Sequence, residues 1–306
     1  MDWLHYKKIY FLLSGIAIAV GIFSLLTWGL KLGVDFRGGS ILEYKFEKEI
    51  STEKLIEEIK NEGFDNVVIQ TTGANTYLIK LPPLQKEDKE KIASATAKLI
   101  SSTEEPDQAT VSAANIEELR FETVGPSVGP ELVKKTVYAI LISSGMILLW
   151  VAFQFKNIKF GVSAILAMFH DTFILIGFFS LLGHFFGAEV DFLFVTALLT
   201  TLSFSVHDTI VVFDRIREIK KQRNEELKDI ANRALTETMV RSLNNSFTII
   251  FMLIALLLLG GSTIKWFAGA LLIGTILGTY SSPFVAVPLL VSWDNLVVRI
   301  KSFRRK

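Results

Sequence analysis

Long runs of apolar residues recur along most of this chain of 306 residues, separated by short charged segments. A helix needs about 20 mostly apolar residues to cross the roughly 30 Å hydrocarbon core of a bilayer. Six runs reach that length, and the first is too long, and lacks the small-residue cleavage site, for a removable signal peptide. The pattern therefore predicts six transmembrane helices, near residues 9–30, 136–154, 160–182, 192–213, 245–261 and 266–291.

A segment of a different pattern, residues 31–135, separates the first two runs. Four stretches of strand-like pattern, ILEYKFEK, NVVIQTTG, NTYLIKL and EELRFETVG, predict strands. STEKLIEEIKNEG, which opens on a capping Ser or Thr and closes on Gly63, and PLQKEDKEKIASATAKLIS predict amphipathic helices. The order β-α-β-β-α-β is that of a ferredoxin-like domain, and residues 99–115 are open to a loop, an extra strand or both.

These patterns predict a multi-span α-helical membrane protein that carries one α+β ferredoxin-like domain. Composition agrees, since half of the residues are apolar and the mean hydropathy is +0.42. The chain has no cysteine, so its folded domain must be held by its own core without disulfides. The predicted regions are 1–30 (N-terminus and first span), 31–135 (ferredoxin-like domain), 136–291 (five further spans) and 292–306 (basic tail).

Lysine and arginine counts predict the orientation, because short cytoplasmic loops carry the excess of these residues. Eight basic residues lie from Arg215 to Arg241, and five more follow the sixth run. The opposite short loops, GHFFGAEVD and GGSTIKW, contain only Lys265. We therefore expect both termini in the cytoplasm and residues 31–135 exported. The basic stretch RIREIKKQR anchors the fourth span, with lipid head groups or a cytoplasmic partner as possible further contacts.

Ionisable residues interrupt two of the predicted spans. The third contains His170 and Asp171 near its middle, and the fourth contains His207 and Asp208 in its cytoplasmic half. Such residues are costly in a bilayer and occur mostly where they face a protein interior, a partner or a water path.

Polar residues share one face of the fourth span with the acid. Thr201, Ser205 and Asp208 follow an i, i+4, i+7 spacing. On the fifth span, Arg241 begins a similar polar face that continues through Asn244 or Asn245 and Thr248. If the two faces meet, Asp208 can approach the guanidinium of Arg241, and protonation of the carboxylate would release the arginine. The alternative is that Asp208 only holds helices together by hydrogen bonds.

The other candidates have equally simple alternatives. His170 and Asp171 could join the same proton relay, with Thr201 and Ser205, or bond to a neighbouring helix. His207 is a second proton carrier or a neutral hydrogen-bonding imidazole. No spacing indicates a metal site, and no phosphate-binding loop, nucleophile elbow or zincin motif is present. We therefore expect no enzymatic activity, no cofactor and no bound metal.

Four motifs resemble those of the SecF family, the smaller membrane subunits of SecD–SecF protein-export complexes within the proton-driven resistance–nodulation–division superfamily. VDFRGGS, at 34–40, resembles the Asp-Phe-x-Gly-Gly signature that follows the first span. RFETVGPSVGPEL (120–132), HDTIVVFDRIRE (207–218) and RSLNNS (241–246) resemble the segments at the second, fourth and fifth spans. The resemblance runs through the whole chain in order.

The resemblance implies roles for particular residues. The family's proton-coupling aspartate falls on Asp208 and its fifth-span arginine on Arg241. His207 stands where the family pattern has asparagine, which leaves the coupling ion and its pH range open. The signature residues Asp35, Arg37, Gly38 and Gly39 are better interpreted structurally, because paired glycines permit a tight passage from helix to strand.

The resemblance also implies the function. With a SecD-like subunit and the Sec translocation channel, the chain would use the proton motive force to draw unfolded secreted polypeptides outward across the bacterial inner membrane. We expect contacts with membrane lipid and none with nucleic acid. The alternatives are a proton-coupled exporter of small solutes and a non-energised scaffold of the channel. The GTILG stretch at 274–278 predicts a close helix-packing face, either internal or toward the partner.

Overall fold

The computed structural model describes residues 2–47, 49–101, 116–125, 128–155, 157–223 and 225–303. These residues form two compact units. One unit contains residues 1–31, 138–260 and 264–306, and the other contains residues 32–137 with 261–263.

Six helices in the described part of the chain are long and apolar enough to span a membrane. The first is α1 (Lys7–Thr27), which follows a 3-10 turn at Trp3–Tyr6. The sixth consists of α9 (Ser262–Ser281), a π-helical turn (Ser282–Ala286) and α10 (Val287–Phe303). The six predicted spans are thus confirmed, and those between are α5 (Val128–Phe155), α6 (Ile158–Phe186), α7 (Phe192–Gln222) and α8 (Leu227–Leu259).

Helices α7 and α8 extend well past the apolar runs that predicted them. Their extensions form a hairpin on residues 214–244, where the charge count had considered only a connecting segment. The hairpin is amphipathic, with Ile216, Ile219, Ile230 and Leu235 in the main apolar core. Helix continues because these apolar residues recur at helical spacing, even though the other faces are charged.

The interior of the membrane unit is built by α6, α7 and the sixth span. About half of the apolar window of α6 and of α7 is buried, and 61% of that of the sixth span. By contrast, only 6% of the α5 window and 11% of the α8 window are buried. One face of α6 and of α7 is therefore enclosed by protein, whereas α5 and α8 keep most of their surface free.

Helices α1 and α6 cross at a point where neither has a side chain. A Cβ atom added to Gly177 would overlap the Cα of Gly21. Ser24 lies one turn from this crossing and donates a hydrogen bond to Ser180 at 2.8 Å, and Ser180 donates to the carbonyl of Gly29 at 2.6 Å. Small residues at such a crossing let two backbones approach and exchange hydrogen bonds without water.

The second unit contains the elements β1 (Gly39–Phe46), α3 (Thr52–Asn61), β2 (Val68–Gly73), β3 (Thr76–Leu81), α4 (Lys86–Ser101) and β4 (Ile116–Val124). The four strands form an antiparallel sheet of order β2-β3-β1-β4. Leu42 of β1 faces Ile79 of β3 on one side and Phe121 of β4 on the other. This order of strands and helices confirms the predicted ferredoxin-like fold, while residues 102–115 of the ambiguous segment lie outside the described residues.

A short helix, α2 (Val34–Arg37), contains Asp35 and leads into this sheet through the paired glycines. Gly38 has φ of 77° and Gly39 has φ of 145°, which L-residues with a side chain rarely adopt. A Cβ on Gly39 would also lie 2.8 Å from the carbonyl oxygen of Leu81. Gly129 packs on the same turn, since its Cβ would lie 2.5 Å from the carbonyl oxygen of Phe36. The geometry supports the structural interpretation of the signature.

Candidate functional site: polar clusters among the membrane helices

The most enclosed acid of the membrane unit is Asp171, on α6, which is 6% exposed. Its Oδ1 lies 2.8 Å from Nδ1 of His170. Its Oδ2 accepts hydrogen bonds from Ser205 of α7 and from Ser281, the last residue of α9, each at 2.6 Å. One carboxylate thus joins three helices through side chains that are all buried.

Glycines of the GTILG stretch allow this close approach of α9 and α7. A Cβ on Gly274 would overlap the side chain of Thr201, and a Cβ on Gly278 would lie 3.2 Å from the Cα of Ser205. The stretch therefore packs inside this chain, which settles the alternative left open by the sequence. Without side chains at these two positions, α9 can bring its hydroxyl groups to the buried carboxylate.

The π-helical turn adds a second hydroxyl contact. Ser282 lies 2.9 Å from Thr209, Oγ to Oγ1, and also donates to the carbonyl of Ser205 at 3.3 Å. Ser281 and Ser282 are adjacent in sequence, yet both bond toward α6 and α7. Adjacent residues of a regular α-helix point about 100° apart, so the wider π-turn, which contains Pro283, fits this arrangement.

Asp208 occupies a separate and less enclosed position, one turn after Ser205 on α7. Its side chain is half-buried, and its Oδ2 accepts a hydrogen bond from Ser242 of α8 at 2.9 Å. Beside it is a cavity of about 20 Å³, which exceeds the space that one water molecule requires. The residues lining the cavity with Asp208 are Phe204, His207, Asn245, Ser246, Ile249, Thr275, Gly278 and Thr279.

The polar faces of α7 and α8 do meet, but the contact between Asp208 and Arg241 that such a meeting would allow is not made. Among the described residues, no ion pair joins them, and the Arg241 side chain is exposed. Successive residues on a helix point about 100° apart, so when Ser242 faces Asp208, its neighbour faces away. Arg215 pairs instead with Glu218 and Glu237.

The remaining predicted residues divide between the two positions. His170, Asp171 and Ser205 come together, whereas Thr201 donates to the carbonyl of Leu198 on its own helix at 2.8 Å. His207 is exposed and lines an apolar groove of about 660 Å³ between α5 and α7. In the described part of the chain, no three His, Asp or Glu side chains gather as metal ligands would.

Four hydroxyl partners were not among the residues predicted from the sequence: Ser242, Ser281, Ser282 and Thr279. Thr279 donates to Ser246 at 2.7 Å and so ties α9 to α8 beside Asp208. A sequence signal existed, because consecutive hydroxyl residues followed by proline, TYSSP, are unusual inside an apolar span.

Comparisons with known proteins agree with this architecture. Residues 105–296 match the family model of the protein export membrane protein SecD/SecF, C-terminal, and residues 23–50 match that of the SecD/SecF GG motif. The chain is 42% identical to a protein translocase subunit SecF of Thermobaculum terrenum, over 96% of this chain and 94% of the relative. It is 38% identical to the SecF subunit of Vibrio alginolyticus, over 94% and 88%.

A solved structure extends the comparison to three dimensions. The crystal structure of SecDF, a translocon-associated membrane protein from Thermus thermophilus, matches with a TM-score of 0.79 and 34% identity. The match covers 96% of this chain and 39% of that longer chain. Together with the two motif regions, these matches show that the chain belongs to the SecD/SecF family and is a multi-pass membrane subunit of the protein translocase, of the SecF type.

Proposed function

We propose that this chain, together with a SecD partner, uses the proton motive force to assist late steps of protein export across the bacterial inner membrane. The observation that carries the proposal is Asp208, a half-buried carboxylate in a membrane helix beside a cavity large enough for water. An ionisable residue in such a place is a functional candidate by default, and water gives it a source of protons.

Protonation of Asp208 would change the contact between α7 and α8. The ionised carboxylate accepts the hydrogen bond from Ser242, and the neutral acid holds that donor less strongly. Freed from this bond while the acid is neutral, α8 can turn. When the proton leaves, the re-formed carboxylate can attract Arg241, the next residue back along the helix, in place of Ser242. A charge crossing the membrane supplies about 2.3 kcal/mol per 100 mV, enough to shift such a two-state contact.

The partners follow from the exposed surface and from the relatives. The SecDF relative of Thermus thermophilus is 37% identical over 91% of this chain, which is 36% of that relative, and its name indicates a SecD partner. The scarcely buried α5 and α8 offer the surface for such a partner. The Sec channel, the emerging polypeptide and membrane lipid would be the further contacts.

The proposed orientation has both termini in the cytoplasm and residues 31–135 on the outer face. The N-terminal turn supports one shared side for the basic segments, since Trp3 donates to Thr236 at 3.0 Å and Leu4 donates to Asn232 at 3.1 Å. The N-terminus and the basic α7–α8 hairpin therefore lie at the same end of the membrane unit.

Proton-gradient-dependent export of a secreted reporter in membrane vesicles that contain the partner tests the proposal. We expect Asp208→Asn to assemble normally and to lose the gradient-dependent part of export, because asparagine keeps the shape and cannot titrate. Asp229→Asn is the matched control, since this acid is exposed in the first turn of α8. Unchanged export with Asp208→Asn would refute ion coupling at this site and favour the scaffold.

A further inference from the structure

One ring nitrogen of His170 is isolated inside the protein. The side chain is 7% exposed, and among the described residues its Nε2 has no hydrogen-bond partner. Buried polar atoms without a partner are few in native proteins, and each calls for an explanation. Its other nitrogen, Nδ1, is held by Asp171, so the ring cannot turn away without losing that contact.

The charge of the His170–Asp171 pair is also unbalanced. With a neutral imidazole the pair carries one negative charge, and both hydroxyl donors to Asp171 are uncharged serines. The nearest lysine along α6, Lys159, is about 18 Å away along the helix axis and already pairs with Asp294 of α10. An isolated charge in an apolar interior is costly.

Among the described residues, the titratable groups on the neighbouring helices do not balance this negative charge. From α9, the ring of Tyr280 stacks on His170 with centroids 6.5 Å apart, and its hydroxyl donates to the carbonyl of Tyr10 on α1. From α7, Asp208 would only add negative charge, and it bonds instead to Ser242 of α8.

We propose that His170 and Asp171 form a second proton-binding site, distinct from Asp208, whose ligand is one proton taken from water. The proton adds to the imidazole, so that a neutral ring and a carboxylate become an imidazolium–carboxylate pair of zero net charge. Every covalent bond of the chain stays intact. This proposal rests on the proposed function only for the source of the proton, since binding itself requires no export.

The His170–Asp171 site is connected to the sixth span through the hydrogen bond from Ser281 to Asp171. Ser205 and Ser281 bond to the carboxylate as donors, and such bonds are strongest when the acceptor's charge is not shared with a cation. Uptake of the proton would therefore loosen the hold of Asp171 on α7 and on the start of the π-turn. Ser205 also packs on Gly278, which lines the cavity beside Asp208, so the two acids are linked through one layer of residues.

Nitrogen-15 NMR of the histidine rings measures the charge directly. The test uses the full chain with its partner subunit in lipid vesicles, where the chain contributes four histidines and His170→Gln identifies the ring of interest. We expect the ring of His170 to pass from the neutral to the charged form as the pH is lowered. Asp171→Asn should abolish that conversion, because it removes the counter-charge.

A control and a milder variant keep the test decisive. Thr172→Val is the matched control, since Thr172 lies beside Asp171 and donates to the carbonyl of Met168 within its own helix. If Asp171→Asn does not assemble, Ser281→Ala keeps the His170–Asp171 pair and removes one hydroxyl donor from the carboxylate, so it should raise the fraction of charged His170 rings at a given acidic pH. A ring that stays neutral, or a charged fraction indifferent to these variants, would overturn the second site.

The two proposals can fail separately. If Asp208→Asn abolishes gradient-dependent export and His170 does not titrate, only the second site is wrong. If His170 titrates with Asp171 while Asp208→Asn leaves export unchanged, the second site stands and coupling at Asp208 is wrong.

Discussion

The crossing of α1 and α6 offers a sharp test of the packing described above. In Gly177→Ala the three atoms nearest to the new methyl group would all be backbone atoms of Gly21, including its carbonyl carbon at 3.0 Å and its oxygen at 3.2 Å. Carbon atoms pack best at about 3.5 to 4.0 Å, so the helices must separate by about 1 Å. A flexible side chain could move aside, whereas two backbones have to shift together.

The expected change in the free energy of unfolding for Gly177→Ala is the sum of three contributions. Overpacking costs about 1 to 3 kcal/mol, and weakening the buried bond between Ser24 and Ser180 costs about 1 kcal/mol more. Alanine favours helix over glycine by about 1 kcal/mol, which offsets part of this loss. We expect Gly177→Ala to lower the free energy of unfolding by about 1 to 3 kcal/mol.

Unfolding of the full chain by SDS in mixed micelles measures that free energy. Gly15→Ala is the matched control on α1, because a Cβ at Gly15 meets no atom within 4 Å. Since the chain has no cysteine, Ser24→Cys with Ser180→Cys adds a specific cross-link that reports the helix separation. Equal stability and equal cross-linking for Gly177→Ala and Gly15→Ala would refute the close crossing.

Three further predictions concern other parts of the chain. Burial raises the pKa of Tyr44 to about 12, so its contribution to stability is complete below about pH 10 and is lost as the pH rises toward 12. The Tyr44 hydroxyl also has no hydrogen-bond partner among the described residues. Tyr44→Phe should therefore stabilise the ferredoxin-like domain by about 1 kcal/mol and remove the loss of stability at alkaline pH. Hydrogen exchange of β1 in the full chain measures both effects. Gly39→Ala should destabilise that domain by about 1 to 3 kcal/mol because of its positive φ, whereas Gly73→Ala should not, and protease resistance distinguishes them. Leu4→Ala, in the buried core, should lower the free energy of unfolding in mixed micelles by about 2 to 5 kcal/mol, and Leu12→Ala, on the exposed face of α1, should have little effect.

The spans and the ferredoxin-like domain could be predicted because both rest on periodic patterns. Apolar length identifies a membrane helix, and alternation identifies a strand, without knowledge of what each element contacts. The hairpin on residues 214–244 was missed because charge hides its apolar stripe, which includes Ile216 and Ile230. Local sequence patterns are enough to predict the membrane spans and the strands. The helical hairpin depends on tertiary packing, which those patterns do not show.

The candidate residues of the site could be chosen from their residue types, whereas only some of their contact partners could be predicted. Burial cost drew attention to His170, Asp171 and Asp208 as ionisable residues within spans, but spacing could not tell whether Arg241 or Ser242 would face Asp208. A rotation of one residue about the axis of α8 exchanges the two. Helix rotation is set by packing against neighbours, which a single sequence does not encode locally.

The π-turn has a consequence for changes in chain length. A π-turn accommodates one more residue than the α-helix would in the same stretch, so a single deletion within 282–286 could restore regular helix. The packing of Val287 and Leu290 beyond it would then survive, while one of the two serine contacts would be given up. In this span the number of residues in the turn, more than their polarity, determines whether Ser281 and Ser282 can both bond to the neighbouring helices α6 and α7.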